Sequence, residues 1–252
     1  MEEKTTTNQS LIERLFSAGA HFGFSKSRRH PTVAPYIFGA KHGTDIFDLE
    51  KTSVLLDTAK EVLKKAGSEG KTVLFVGTKD EATAVVKEMA EKSEMPMVVN
   101  RWIGGMLTNF GEIKRRLARL EDLIAQGESG ELERKYTKKE RVLIKREMEK
   151  LMFNFGGIRT LKRIPDLMVV VDPRYDSIAV TEAKDVKIPV VGILSSDTNL
   201  KSVDVPVVVN DALRSSIKLA LSELVAAYQD GRASYTPAPT DDRRNRRPQT
   251  QR

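Results

Sequence analysis

Five short runs of apolar, mainly β-branched residues recur along the chain, and segments of helical spacing fill most of the gaps between them. The runs are Thr72 to Gly77, Met97 to Asn100, Leu167 to Asp172, Pro189 to Leu194 and Pro206 to Asn210. Continuous apolar strands of this kind are covered on both faces, which points to a parallel sheet. Helical patterns over Glu50 to Ala66, Glu81 to Lys92, Ser177 to Lys184 and Ala212 to Tyr228 supply the covering layers. In the first of these, Val54, Leu55, Thr58, Val62 and Lys65 track the faces. The expectation is an α/β domain on a doubly wound, five-stranded parallel sheet with right-handed crossovers. Ahead of the sheet, Leu11, Ile12, Leu15 and Phe16 have helical spacing, and Gly19 suits the helix end. His21 to Pro35 reads as extended loop. Tyr36-Ile37-Phe38 and Asp45-Ile46-Phe47 flank a glycine-containing turn and read as a hairpin.

Between the second and third runs the pattern changes. Ile113, Leu117, Leu120 and Ile124 are spaced four, three, four, and so are Ile144, Met148, Leu151 and Phe155. Each set is a heptad seam about one and a half repeats long. Gln126 to Gly130 breaks the two, and Thr137-Lys138-Lys139-Glu140 forms a capping box for the second. An inserted antiparallel helical (coiled-coil) hairpin fits best, short enough to lean on the domain or on partners. The expected organisation is a discontinuous globular domain over residues 1–106 and 158–230, the hairpin over 107–157, and a disordered basic tail over 231–252. Residues 1–8 are expected to fray.

Composition narrows the function. A chain of 252 residues can bury one large core, with or without an insertion. There is no Cys, which excludes a disulfide framework and a thiolate metal site. No apolar run approaches the roughly 18 residues of a membrane span, and no signal-peptide pattern is evident, so a cytoplasmic location is expected and no membrane partner. The net charge of +7 is modest, but its distribution is uneven. From Phe24 to His42 there are four cations (Lys26, Arg28, Arg29 and Lys41) and no acid, and all three histidines fall in or beside that window. The tail from Asp241 carries five Arg against two Asp.

Two clusters suit RNA. In Ser25 to Pro31, the forks of Arg28 and Arg29 match phosphate, His30 can stack on a base, and Lys26, Lys41 and His42 extend the surface. In Asn100 to Asn109, Arg101 and Trp102 are typical anchor residues, and Gly104-Gly105 permits close backbone approach; Thr108 and Asn109 complete that set. The same segment also reads as a structural elbow in which Trp102 packs under the hairpin, mirrored by Asn154-Phe155-Gly156-Gly157 where the arm returns. Lys114-Arg115-Arg116 and Lys138-Lys139 could touch phosphate, but nine acids balance twelve bases from Leu107 to Gly157. The dinucleotide and P-loop glycine patterns are absent, and the histidines lack metal-ligand spacing. An enzyme or switch reading survives only at the strand ends. There Asp172, Asp197, Asn210, Asp211 and Lys79 could form a site or simply cap turns and helices.

These motifs come in a specific order. Ala18-Gly19-Ala20-His21-Phe22-Gly23, Pro35 to Ala40, Asp48 to Thr52, Val73 to Lys79, Asn100 to Phe110, Gly156-Gly157-Ile158, Ile164-Pro165-Asp166, Asp197-Thr198-Asn199 and Asn210-Asp211-Ala212 together resemble the bacterial small-subunit ribosomal protein two (S-two) family, from about Leu11 to Tyr228. The resemblance implies a flavodoxin-like domain with the inserted hairpin and no catalysis or cofactor. It implies contact with small-subunit ribosomal RNA and neighbouring ribosomal proteins where head and body meet. It also implies a part in docking the OB-repeat ribosomal protein one. The chain departs from the family pattern at Phe24, where a second His is common, at Phe110, where Trp is common, and before Asn210, where Pro-Gly is common. An RNA-free scaffold built on the hairpin is the remaining alternative.

Overall fold

The computed structural model describes residues 11–235. Helix α1 covers 11–17 and is followed by a small antiparallel sheet of β1 (Phe22–Ser25), β2 (Ile37–Lys41) and β3 (Thr44–Phe47), in the order β1-β3-β2. The expected hairpin is β2–β3, turned by His42 and Gly43 at φ 51° and 79°, as two-residue hairpin turns of this hand require. The extended loop needs correction. Its first residues pair with β3, Phe22 opposite Ile46 and Ser25 opposite Thr44, and the rest winds into two 3₁₀ turns, Lys26–Arg28 and Pro31–Tyr36.

The main sheet is wholly parallel. Its strands are β4 (Val73–Val76), β5 (Met97–Val98), β6 (Leu167–Val171), β7 (Val190–Leu194) and β8 (Val205–Val208), ordered β5-β4-β6-β7-β8. In sequence order that is 2-1-3-4-5, the arrangement of flavodoxin-like sheets. Every residue of β4, β6 and β7 is buried, so both faces are covered. Alternate residues feed two cores. Val73, Phe75, Val169, Val171, Val191 and Ile193 face one core with residues of α1, α2 (Leu49–Ser68), α3 (Asp80–Ser93) and α8 (Arg214–Ala233). Leu74, Val76, Met168, Val170, Val190 and Leu194 face the other, with Trp102, Phe110, Phe155, Ala179 and Ala183.

Between β5 and β6 stand α4 (Phe110–Glu128), α5 (Glu131–Lys135) and α6 (Lys138–Phe155), and α7 (Ser177–Asp185) follows β6. Ile113, Leu117 and Leu120 are buried as expected, but the fourth buried position of that seam is Leu123 while Ile124 is only half-buried. In α6, Ile144, Met148 and Leu151 are half-buried and Phe155 is buried. Arg119 on α4 donates Nε and Nη2 to the two carboxylate oxygens of Glu147 on α6, each at 3.2 Å. The capping box of Thr137 and Glu140 is present. Most residues of α4, α5 and α6 are exposed.

Helix α2 differs from its expected faces. Thr52, Ser53, Leu56, Ala59, Leu63, Ala66 and Gly67 are buried, while Val54, Thr58 and Lys65 are exposed. Small residues at Ala59, Ala66 and Gly67 let this face pack directly on α8. A Cβ on Gly67 would overlap the Tyr228 carbonyl, and one on Gly231 would overlap the Lys64 carbonyl. The two helices therefore meet backbone to backbone. Helix α8 also runs past Tyr228 to Ala233; the expected frayed start and most of the expected tail, 236–252, lie outside the described residues.

In an open helix Gly→Ala gains about 1 kcal/mol. At Gly231 the overlap reverses the sign: Gly231→Ala should lower stability by about 1–3 kcal/mol in urea denaturation. A stability gain would mean that α2 and α8 do not approach this closely.

Candidate nucleic-acid interface

The small sheet sorts the cations of the basic window into two kinds. Asp45 on β3 has 0% side-chain exposure, and an unpaired carboxylate there would be costly. Arg29 answers it: Nε donates to Oδ2 at 2.8 Å and Nη2 donates to Oδ1. The hydrogen bond to Asp45 raises the Arg29 pKa. His30 is also committed inward. Its backbone N–H donates to the Ser196 carbonyl at 2.8 Å, and Nδ1 accepts from the Thr32 N–H at 3.3 Å. Lys26, Arg28, Lys41 and His42 are exposed. The Lys26 N–H donates to the Gly43 carbonyl at 2.9 Å, which brings the first 3₁₀ turn beside the hairpin tip. Arg28 lies 6.0 Å from the Phe24 ring centroid, and Lys79 Nζ lies 5.8 Å from it. The aromatic that departs from the family pattern thus sits among cations.

The elbow after β5 is built on a residue the sequence reading missed. Glu182 of α7 is buried, and both its oxygens are filled by the elbow. Oε1 accepts from Trp102 Nε1 at 3.1 Å and from the Gly105 N–H at 2.7 Å. Oε2 accepts from the Leu107 N–H at 3.0 Å, the Thr108 N–H at 3.3 Å and Thr108 Oγ1 at 3.2 Å. Convergent backbone N–H groups make an anion cradle, and here the chain's own carboxylate occupies it. Gly105, at φ 89°, supplies the turn. Burial pushes the Glu182 carboxyl up, but the hydrogen bonds from Leu107, Trp102, Gly105 and Thr108 outweigh it and hold the pKa below the ordinary value. The available signal was a lone Glu beside Ala179, Val180 and Ala183 on the buried side of a short helix.

Trp102 and Thr108 therefore have partners inside the protein, whereas Arg101 and Asn109 are exposed and Asn109 makes no cap bond with its side chain. The returning chain is fixed on the same strand. Asn100 Nδ2 donates to the Phe153 carbonyl at 2.7 Å, and Gly157 lies so close to the Met97 carbonyl that a Cβ would overlap it.

At the C-terminal ends of the strands the candidate enzyme residues are mostly engaged in turns. Asp172, at φ 58°, accepts from the N–H groups of Arg174 and Tyr175 at 3.2 and 3.1 Å. Asp197 pairs with Arg174. Asn210 accepts from the Ala212 N–H and donates to the Gly19 carbonyl. Asp211 differs: it is fully buried, neither oxygen accepts a hydrogen bond, and Lys79 Nζ stands 3.5 Å from Oδ1. Burial, with the nearby Asp172 charge, pushes its carboxyl up to about 7 against the partial relief from Lys79. Among the described residues no three His, Asp or Glu side chains are grouped to hold a metal ion, and no helix is long and apolar enough to cross a membrane.

A family model described as ribosomal protein S2 matches residues 15–231. The small ribosomal subunit protein uS2c of Rhodomonas salina is 41% identical over 231 residues, covering 92% of this chain and 95% of its own length. The uS2 proteins of Salinibacter ruber and Campylobacter fetus are each 41% identical, over 226 and 219 residues. These alignments cover 90% and 87% of this chain and 70% and 84% of the relatives.

Replacing Glu182 by Ala strands several buried donors, each worth about 1–3 kcal/mol. Glu182→Ala should therefore lower stability by more than about 3 kcal/mol in urea. It should also shift the emission of Trp102, the sole tryptophan, to longer wavelength. Unchanged emission would mean that the elbow is held elsewhere. For Asp211 the folded pKa of about 7 lies above the ordinary 3.8. Its contribution to stability is thus full below the ordinary value and is lost as pH rises through the folded one. Asp211→Asn cannot ionise, so its stability relative to the parent should rise between about pH 4 and about pH 7; a difference independent of pH would contradict the assignment.

Proposed function

The chain belongs to the ribosomal protein S2 family, and from that premise we propose that it holds small-subunit ribosomal RNA through the cations left free by the small sheet. The family is a structural one, not an enzyme family, and its members are constituents of the small ribosomal subunit together with ribosomal RNA and other ribosomal proteins. The observation that carries the reading is the sorting of the basic window. Lys26, Arg28, Lys41 and His42 are exposed on the small sheet and the turns that adjoin it, and the sheet's buried acid Asp45 is already neutralised. Such a surface suits phosphate contacts that position an RNA without reading its sequence. Arg101 and Asn109 form a second contact at the elbow. Arg29, His30, Trp102 and Thr108 serve the same interface by fixing the backbone beneath it.

Family membership supports the finer placement as well. The chain sits where head and body of the small subunit meet, in the cytoplasm, and helps dock the OB-repeat ribosomal protein one. Residues 107–157 act as an inserted coiled-coil arm on the globular domain, and the paired seams of α4 and α6 support that reading. The arm's direction is set by the elbow, so its contacts to neighbouring ribosomal proteins depend on the Glu182 cradle.

The two arginines separate binding from folding. Arg28→Ala should change stability by no more than about 0.5 kcal/mol. It should weaken entry into small subunits and reduce the salt dependence of binding by about one phosphate contact. Arg29→Ala leaves Asp45 buried without its partner and should lower stability by about 3 kcal/mol. Urea denaturation and sedimentation of reconstituted subunits check both. Normal assembly and an unchanged salt slope in an Arg28→Ala, Lys41→Ala double variant would overturn the interface.

A further inference from the structure

Phe38 is 82% exposed, more than any other large hydrophobic side chain among the described residues. Its position is not an accident of composition. On β2, Ile37 stands opposite Phe47 and Gly39 opposite Ile46, so the strand advances two residues where β3 advances one. Phe38 is the extra residue of a β-bulge, a device that re-aims a side chain at functional surfaces. It lies on an edge strand, since the order is β1-β3-β2. The space beside it is open: a Cβ built on Gly39 or on Gly43 would meet nothing within 4 Å.

The hairpin that carries the ring ends in a cationic tip. Ala40, Lys41 and His42 follow it and are exposed, and the turn that carries Lys26 is tied to the hairpin tip by the Lys26 N–H to Gly43 carbonyl bond at 2.9 Å. Two of the acids on this side are occupied. Asp45 is paired with Arg29, while Asp48 accepts the N–H groups of Glu50 and Lys51 and pairs with Lys51 Nζ at 3.3 Å. Glu50 is exposed on the first turn of α2. An added protein strand fits this edge poorly, because the bulge interrupts the ladder and Lys41 charges it. An exposed flat aromatic on a hairpin whose tip carries Lys41 and His42 matches the chemistry of an unpaired nucleotide, with the base on the ring and the backbone along the tip.

We propose that Phe38 is a stacking platform for an unpaired base of the small-subunit RNA, on a hairpin whose tip presents Lys41 to the phosphate backbone. This rests on the RNA-binding reading above and names its base-contacting residue.

The test uses small subunits lacking this chain, reconstituted with the full-length protein. Wild type, Phe38→Ala, Phe38→Trp and Lys41→Ala are compared by affinity and by base-specific chemical modification of the RNA. Stacking is lost in Phe38→Ala, so binding should weaken roughly tenfold. One or two unpaired bases should become reactive while the other protections persist, and Phe38→Trp should restore them. If Phe38→Ala binds and protects like wild type while Lys41→Ala weakens binding, the stacking role falls and the RNA reading stands. If the wild type protects no RNA, both fall. Weaker binding of Phe38→Ala with every base still protected would assign the ring to a protein neighbour and overturn the proposal.

Discussion

The Glu182 carboxylate gathers donors from Trp102, Gly105, Leu107 and Thr108 onto two oxygens. Hydrogen bonds to a charged acceptor contribute about 1.5–3 kcal/mol each, enough together to offset the cost of burying the charge. The geometry matters more than the sum. The donors span the last residues before α4, and the acceptor sits on α7, which packs on the sheet. One side chain therefore fixes the angle at which the chain leaves β5. The return at Gly157, pressed on the Met97 carbonyl, is fixed on the same strand. Helices α4 and α6 thus leave and rejoin the sheet where these contacts hold them.

The same logic divides the cations of the small sheet. Asp45 must be buried for β3 to lie against the domain, and a buried carboxylate takes a fork-shaped partner. Arg29 supplies it and so stabilises the fold beneath the surface. Lys26, Arg28 and Lys41 have no such obligation and remain at the surface. Two arginines adjacent in sequence thus do different work, and the difference arises from a residue sixteen positions away.

The C-terminal ends of the parallel strands are where open α/β sheets usually hold a ligand. In this protein the acids of that region are engaged by the chain's own groups. Asp176 accepts from the Thr78 N–H and Oγ1, Asp172 accepts from the turn that follows it, and Lys79 stands between Asp172 and Asp211. The acids at these strand ends are engaged with the chain's own groups, in keeping with a structural role.

The sequence by itself determined the five parallel strands, their covering helices and the interruption after β5, because these depend on apolar periodicity and local breakers. It also marked the basic window and the Arg101 to Asn109 segment, since composition and motif order are properties of the chain alone. It did not determine which charges would be free. Arg29 and Arg28 look alike until Asp45 is brought against one of them, and Trp102 reads equally as contact or as elbow until Glu182 arrives from eighty residues away. The third strand of the small sheet and the bulge that turns Phe38 outward depend on the register against β3. Gly67 and Gly231 acquire meaning only where two helices cross. Each of these is a pairing between segments distant in sequence, and only tertiary packing selects the partner.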